Sequence, residues 1–505
     1  MEITQLLEQK SKQYPQKPAF IWKDENISYP ELQEKSFKVA NYLIKVGVKK
    51  DKKIAVYLPN LPETIFSIFG ILSAGGVLVP LDYMLTEPEI INFINHSDSE
   101  FLIIQPKKEI NLNKIKEQCL KLKNVIILEK GENNFHSFSD ILENNSSEKP
   151  ENLVTATNDA AIFYTSGSTG HPKGVSLTYQ HLQNPIEVID NYLTVTADDV
   201  FLCGGIPFSH IGGLDFILFM LYFGFTLVLM ERFQPLEFLR NIQKYQVTLF
   251  CVVPAMFMAM LFLKGADKFD LSSLKYAVVF GAPSSPAVLK RFNKLCPNAE
   301  LRNGWGMTET SAPNSYSPKD QNKLASIGNF DFNMEAKIVD NQGKTVAQGE
   351  KGELWVRGKG IMKGYYKQPE LTKQVLTDQG WLKTGDIACK DEDGYFYIVG
   401  RIKEMIKVAG EIVFSPEVES VIQRYPEVIE VAVVGKEDKL RGEVPQAFLV
   451  VKDKQQFDQQ KFKEFLKKNL AHFKIPQSFE FCQKLPKNRT GKIDKKSLKE
   501  SIKRV

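Results

Sequence analysis

The chain has 505 residues, 43% of them hydrophobic and 25% charged, with 65 Lys and Arg against 60 Asp and Glu. Such a length exceeds one ordinary core and implies roughly two to four domains, and the composition is globular, which excludes collagenous, low-complexity and disordered classes. A net charge of +5 does not call for nucleic acid, and six cysteines without CxxC spacing argue against zinc and against a disulfide framework, leaving buried, inert thiols.

The first residues, "MEITQLLEQKSKQYPQKPAF", carry acids and no apolar h-region, so no signal peptide is expected and the chain reads as cytosolic. "ISYPELQEKSFKVANYLIKVGV" reads as a helix closed by Gly47, "KIAVYLP" as a strand, and "PETIFSIFGILSAGGVLVPL" as helix, Gly-Gly stop and strand. This rhythm indicates parallel α/β layers, and it recurs at "LRNIQKYQVTLFCVVP" and "LKYAVVFGAPSSPAVLKRF". The most apolar stretch, Phe216 to Met230, is shorter than the roughly 20 residues of a membrane span and is interrupted by Gly224. It reads as a buried helix running into a buried strand.

From about Gly352 the texture changes to short strands and turns, "GELWVRG" and "GWLKTGDIACKDEDGYFYIVGR". A compact α+β unit follows Arg401, with strands "VIEVAVVGKED" and "EVPQAFLVVKD" and the helix "QQKFKEFLKKNLAHF". The natural cut lies near Gly400–Lys403, dividing the chain into 1–400 and 401–505. From Arg401 onward 23 Lys and Arg stand against 15 Asp and Glu. That surplus suits a polyphosphate ligand or a solvated basic surface equally well.

The stretch "YTSGSTGHPKGV", Tyr164 to Val175, packs glycines, hydroxyls and a lysine into one loop. It is not a P-loop: Lys173 precedes its glycine, and "GVSLT" downstream is strand-like where a P-loop would enter a helix. A strand, loop, strand hairpin can still close over a triphosphate through backbone N–H groups and the hydroxyls of Thr165, Ser166, Ser168 and Thr169. Four further stretches suit the same ligand. "NGWGMTET" sets Thr308 beside Glu309, a hydroxyl and a carboxylate fit for phosphate and Mg2+. "KTGDIA" places Asp386 in a tight turn, where a carboxylate can accept two ribose hydroxyls; Arg401 in "YIVGRIKE" adds a cation fifteen residues on; "LPKNRTGKIDKKSL" presents Lys492 on a Gly-led turn.

With these motifs in this order, together with "GELWVRGKGIMKGYY" and "GRIKEMIKVAGE", the chain resembles the adenylate-forming superfamily nearly end to end. That superfamily comprises acyl-CoA synthetases, firefly luciferase and peptide-synthetase adenylation domains; within it the chain is most like a bacterial fatty-acyl-CoA synthetase. The resemblance implies an α/β fold: a large N-terminal domain of layered α/β sheets plus a distorted β-barrel, and a small mobile α+β C-terminal domain. It implies ATP, Mg2+ and CoA, a carboxylic acid substrate, an acyl-adenylate and a thioester product. By the same resemblance the loop Thr165, Ser166, Gly167, Ser168, Thr169, Gly170 and Lys173 holds the β- and γ-phosphates, and Gly281, Ala282 and Pro283 lie along adenine. Asn303, Gly304, Trp305, Gly306 and Met307 complete the nucleotide site, Thr308 touches the α-phosphate and Glu309 coordinates Mg2+. Asp386 and Arg401 hold ribose, and Lys492 bridges the substrate carboxylate and the α-phosphate. Rotation about Lys403 brings Gly410 to the site for the thiol, and His210, Gly213 and Val253 belong to the acyl pocket.

Two departures bear on the thiol acceptor: "GEIVFSP" after the hinge, and Glu437 where relatives commonly carry proline. A carrier-protein phosphopantetheine is therefore the alternative to CoA, and an aryl acid the alternative to a fatty acid. A silent nucleotide-binding scaffold is disfavoured by the presence of Lys492, Glu309 and Asp386. The apolar segments around "FSHIGGLDFILFMLYFG" and "FCVVPAMFMAMLF" favour a medium- or long-chain fatty acid; Asp215 is the one acid near them, and reads as buried and paired or as a helix cap.

Overall fold

The computed structural model describes residues 2–129, 135–151, 154–165, 173–281, 286–438, 440–488 and 492–503. Two eight-stranded sheets carry the first part of the chain. In one, Lys53–Tyr57, Val77–Pro80, Phe101–Ile104 and Asn124–Ile127 run parallel, and Val77–Pro80 pairs in parallel with Asp159–Thr165. In the other, Val200–Cys203, Thr226–Leu229, Leu249–Val252, Tyr276–Val279 and Glu300–Trp305 form a parallel run. Parallel strands need both faces covered, and the helices between them supply the cover. The first long one, Tyr29–Lys45, starts at Ser28, whose hydroxyl accepts the Glu31 N–H, carries a proline in its first turn and is closed by Gly47 at φ +98°.

The apolar stretch Phe216–Met230 divides as its glycine suggests. The helix Ile211–Phe223 stops at Gly224, φ +81°, and the strand Thr226–Leu229 follows inside the sheet. Among the described residues no helix is long and apolar enough to cross a membrane. The hairpin read from the glycine loop is present: Asp159–Thr165 and Lys173–Thr178 pair antiparallel, with Thr165 opposite Lys173. Ser166, Gly167, Ser168, Thr169 and Gly170 lie outside the described residues, as do Ala282 and Pro283.

Where the resemblance implies a distorted barrel, the described residues form an open four-stranded antiparallel sheet, Met334–Val339, Gly352–Gly358, Leu382–Lys390 and Phe396–Arg401 in that order. Here one local expectation is corrected. Asp386 is not in a turn but inside the strand Leu382–Lys390, directly opposite Arg401. The glycine before it, at φ +72°, and a register slip between Ile387 and Ala388 mark a bulged strand, which gives the sequence its turn-like look.

A short 3-10 turn, Ile402–Glu404, leads into a five-stranded sheet built from Met405–Val408, Glu411–Phe414, Val428–Asp438, Gly442–Val451 and Ser478–Phe481. Its core gathers Val413, Val418, Ile422, Val433, Leu449, Phe462 and Leu466. The helix expected through "AHF" ends sooner, at Asn469, and His472–Lys474 forms a separate 3-10 turn. Of the six thiols, Cys119, Cys203 and Cys296 are buried, whereas Cys251, Cys389 and Cys482 are only half-buried.

Candidate active site

Asp386 and Arg401 lie directly opposite each other on neighbouring antiparallel strands. Arg401 donates from Nε to Asp386 Oδ1 at 2.6 Å, and the Trp305 indole donates from Nε1 to Oδ2 at 3.0 Å. Asp386 is buried, while Arg401 remains 41% exposed at its side chain. The carboxylate is thus held rigidly by one donor on each oxygen, each oxygen keeping lone-pair capacity for a ligand hydroxyl.

Lys492 comes to this group from the far end of the chain. It sits on a turn closed by its own N–H to Asn488 Oδ1 at 3.0 Å and by the Asn488 N–H to its carbonyl at 2.7 Å. A Cβ placed on Gly281 would lie 3.1 Å from Lys492 Cε, 3.4 Å from its Nζ and 3.7 Å from Val253 Cγ1. Glycine at 281, with φ +87°, therefore gives the lysine its room beside Val253. Burial first, and Arg401 next, pull the ammonium down to about 8, against the opposing field of Asp386. Lys403 adds a smaller push in the same direction from its exposed place in the 3-10 turn, and Glu404 beside it opposes. Glu404 is in turn paired with Lys495 at 3.3 Å, and Lys495 with Glu419 at 2.8 Å. Gly410 stands apart, at an exposed two-residue hairpin turn with Ala409, both at positive φ.

Glu309, in the 3-10 turn Thr308–Thr310, is buried and accepts the Tyr365 hydroxyl on Oε1 at 3.0 Å. The Met362 N–H donates to its backbone carbonyl at 2.9 Å. Tyr365 belongs to a two-residue strand paired with Lys173–Thr178, and the Lys173 ammonium lies 5.6 Å from its ring centroid. Burial and the Glu309 carboxylate raise the phenol far above its usual range, so it stays a neutral donor. Among the described residues no cluster of three His, Cys, Asp or Glu could hold a metal. One carboxylate with a second oxygen to offer still fits Mg2+, which is bound by one or two carboxylates plus substrate phosphates. Of the flanking residues, Asn303 gives its amide to the carbonyls of Ala325 and Ser326. Gly304 packs on Phe280 and Gly306 on Ala312, at distances no Cβ would tolerate. Met307 and Thr308 are half-buried beside them.

The residues expected at the acyl pocket are built differently. His210 caps the helix Ile211–Phe223, with Nε2 3.6 Å from Asp82 Oδ2. Gly213 meets the Pro207 carbonyl so closely that a Cβ would lie 2.1 Å from its oxygen, whereas a Cβ on Gly212 would have nothing within 4 Å. Asp215, one turn further, is 2% exposed, and neither carboxylate oxygen has a hydrogen-bond partner. It is neither paired nor a cap. Burial pushes its carboxyl well above the usual carboxylate range, and an unpartnered polar group of this kind costs about 1–3 kcal/mol.

The arrangement has known counterparts. Residues 7–366 match the AMP-binding enzyme family, and residues 417–492 match the AMP-binding enzyme C-terminal domain. The chain belongs to the AMP-binding enzyme family. It is 30% identical to a long-chain-fatty-acid–CoA ligase of Bacillus subtilis, across 99% of this chain and 94% of that one. It is 32% identical to 4-coumarate–CoA ligase 1 of Petroselinum crispum, across 95% of this chain and 89% of the other. Among solved structures, an anthranilate CoA ligase in complex with anthranoyl-AMP superposes with a TM-score of 0.92 at 26% identity, covering 99% of this chain and 97% of that one. These confirm the family and the layered α/β architecture with its small C-terminal unit. Two features escape the sequence reading: the Tyr365 hydroxyl on Glu309 and the unpartnered carboxyl oxygens of Asp215. "GYY" is part of the family motif, but nothing in its spacing says which carboxylate the phenol meets.

Proposed function

We propose that this member of the family is an ATP-dependent acyl- or aryl-CoA ligase that works through an acyl-adenylate. The observation that carries the reading is the approach of Lys492 to Gly281 and Val253 beside the Asp386–Arg401 pair. A half-buried cation there would face both the nucleotide side and the acyl side. In the first half-reaction a carboxylate oxygen attacks the α-phosphorus, the bond to the β-phosphate oxygen breaks, and pyrophosphate leaves. Both reactants are anions, and Lys492 offsets their repulsion while spreading charge from the transition state. Asp386, fixed by Arg401 and Trp305, accepts the ribose hydroxyls; Thr308 donates to the α-phosphate; Lys173 and the loop after Thr165 receive the terminal phosphates. Mg2+ bound at Glu309 would neutralise phosphate charge, with Tyr365 fixing the carboxylate's orientation.

In the second half-reaction the CoA sulfur attacks the acyl carbon, the carbon–oxygen bond breaks, and AMP leaves. Lys492 would obstruct the thiol, so the unit 401–505 turns about Lys403 and presents the Gly410 hairpin in its stead. The basic terminal fifth favours an acidic carrier protein as the competing thiol donor. The acid is hydrophobic, a fatty acid being favoured by the buried apolar helix Ile211–Phe223 and by Pro254–Leu261; a cytoplasmic setting is part of the same proposal. Nucleotide chromatography after turnover with a panel of acids, with and without CoA, tests the reading. AMP and pyrophosphate are the expected products, and acid-dependent ADP overturns it.

A further inference from the structure

Both legs of the phosphate loop are tied to one helix end. Tyr164 and Thr165 close the incoming strand Asp159–Thr165, and Lys173 and Gly174 open the outgoing one, Tyr164 opposite Gly174 and Thr165 opposite Lys173. Side chains alternate along a strand, so Tyr164 and Thr165 point to opposite faces. Tyr164 packs with the cluster that holds Ile90, Ile91 and Ile94 of the helix Glu87–Ser97, whereas Phe163 belongs to the core on the other face. The tyrosine is therefore turned toward that helix and away from the face on which Thr165 is offered to a ligand.

There the Tyr164 hydroxyl and His96 Nδ1 share a hydrogen bond of 2.8 Å, in whichever tautomer the ring adopts. Phe93, from the same helix, packs on the Tyr164 ring with centroids 4.5 Å apart. The outgoing leg is reached from the same place through the neighbouring strand. The Tyr366 N–H donates to the Gly174 carbonyl at 2.7 Å, and the Tyr366 phenol donates to Asp98 Oδ2 at 3.2 Å. The Lys367 ammonium donates to the His96 carbonyl at 3.0 Å and pairs with Asp98 Oδ2 at 2.6 Å. Gly174 lies between the two tyrosines: a Cβ there would be 3.2 Å from Tyr164 Cε1 and 3.4 Å from Tyr366 Cβ. An apolar residue at 96 would fill the same space beside these rings. What the imidazole adds is a directed bond, which fixes the phenol one residue before Thr165, where the loop begins.

We infer that His96 is a positioning residue for the phosphate loop: its bond to Tyr164 sets the incoming leg, and with it the affinity for the terminal phosphates of ATP and for pyrophosphate. The inference rests on the adenylating function proposed above. Burial first, and Lys367 next, hold the imidazole below its usual pKa, against the opposing field of Asp98, so the ring is neutral at pH 7. It acts by geometry, without lending charge to the phosphates.

The experiment compares ligands that have terminal phosphates with one that lacks them, using acid-dependent ATP–pyrophosphate exchange and its inhibition by AMP. His96→Leu removes the bond and leaves an apolar side chain in its place. The KM for ATP and that for pyrophosphate should both rise about fivefold, the worth of one hydrogen bond. The inhibition constant of AMP and the KM for the acid should stay unchanged. Tyr164→Phe should reproduce this pattern, and the double variant should be no worse than either single one, because both remove the same bond. His96→Gln, whose amide can bond the phenol, should recover most of the affinity. Where His96→Leu fails to fold, Tyr164→Phe, which removes a single oxygen atom, carries the test together with His96→Gln. Equal weakening of ATP and AMP, or effects of the two single variants that simply add, would overturn the inference and leave the adenylating function standing. Acid-dependent ADP in place of AMP would overturn that function, and this inference with it.

Discussion

The two ends of the cleft obey opposite rules. At the nucleotide end the polar groups are mutually satisfied before any ligand arrives: Trp305 and Arg401 on Asp386, Tyr365 on Glu309. At the acyl end the helix Ile211–Phe223 is apolar but for Asp215, which has no partner. The difference follows from what each end must do. A triphosphate and ribose are the same in every turnover, so the groups that meet them gain from being fixed in advance. In the proposed reaction the acid is the variable partner, and the one carboxyl of that helix is left without a hydrogen bond. Preorganisation marks the shared half of the reaction, and an unfilled valence marks the particular half.

The most severe test removes the group that stands between the two ends. Lys492→Ala should lower adenylation by about a hundredfold or more, because its charge matters chiefly in the transition state. Thioester formation from synthetic acyl-adenylate should survive, since the thiol needs no such bridge. Lys403→Pro should do the reverse: a fixed φ near −65° traps one orientation, and pyrophosphate exchange persists while thioester output falls. Equal damage to both half-reactions in both variants would remove the rotating unit from the mechanism. The lysine also carries a pH signature. With its pKa lowered to about 8, the ammonium is present below that value and lost above it, so kcat/KM for ATP should decline by about tenfold per unit at higher pH. Lys492→Arg keeps its charge there, and its profile should stay flat through pH 9 whatever its absolute rate. A wild-type profile flat to pH 10 would contradict the lowered value.

A smaller effect, confined to the nucleotide end, is expected of Asp386→Ala. Hydrogen bonds to a charged group are worth about 1.5–3 kcal/mol, so the KM for ATP should rise by about ten- to a hundredfold. The KM for the acid should barely move. Parallel losses in both would mean that Asp386 supports the whole cleft rather than the ribose.

Asp386 also illustrates how far the sequence can be read. Its chemistry is legible from "TGD" and from the fifteen-residue spacing to Arg401, which the turn at Asp391–Gly394 converts into direct opposition across two strands. Its local structure is not, because a glycine at positive φ inside a bulged strand looks the same as a glycine in a turn. The hairpin around the phosphate loop and the helix-to-strand break at Gly224 are legible for a simpler reason: each depends on residues adjacent in the chain. Asp215 lies beyond such reasoning. Whether it is paired depends on a helix and two strands, Leu249–Val252 and Ser315–Tyr316, that meet only in the folded protein. The reason for a glycine at 213 is hidden in the same way, since the Pro207 carbonyl that a Cβ there would meet is invisible to a motif.

The mildest change probes how the nucleotide end is held rather than what it touches. The Tyr365 phenol donates to Glu309 Oε1 and leaves the carboxylate's other oxygen for a cation. Tyr365 is itself fixed on both sides, its N–H donating to Thr372 Oγ1 at 2.9 Å and its strand pairing with that of Lys173. Tyr365→Phe keeps the ring, and with it the packing under the Lys173 ammonium, while removing only the hydroxyl. Glu309 then loses the bond that fixes its orientation, a loss of roughly 1 kcal/mol or about fivefold in binding. The expected signature is a Mg2+ requirement raised by that factor, seen both in half-saturation of exchange and in direct Mn2+ binding measured with ATP present. The KM for the acid should be unchanged, because nothing on the acyl side depends on this bond. A rise in acid KM with normal metal binding would show that the two ends are mechanically coupled, and the contrast between a preorganised half and an open half would have to be given up.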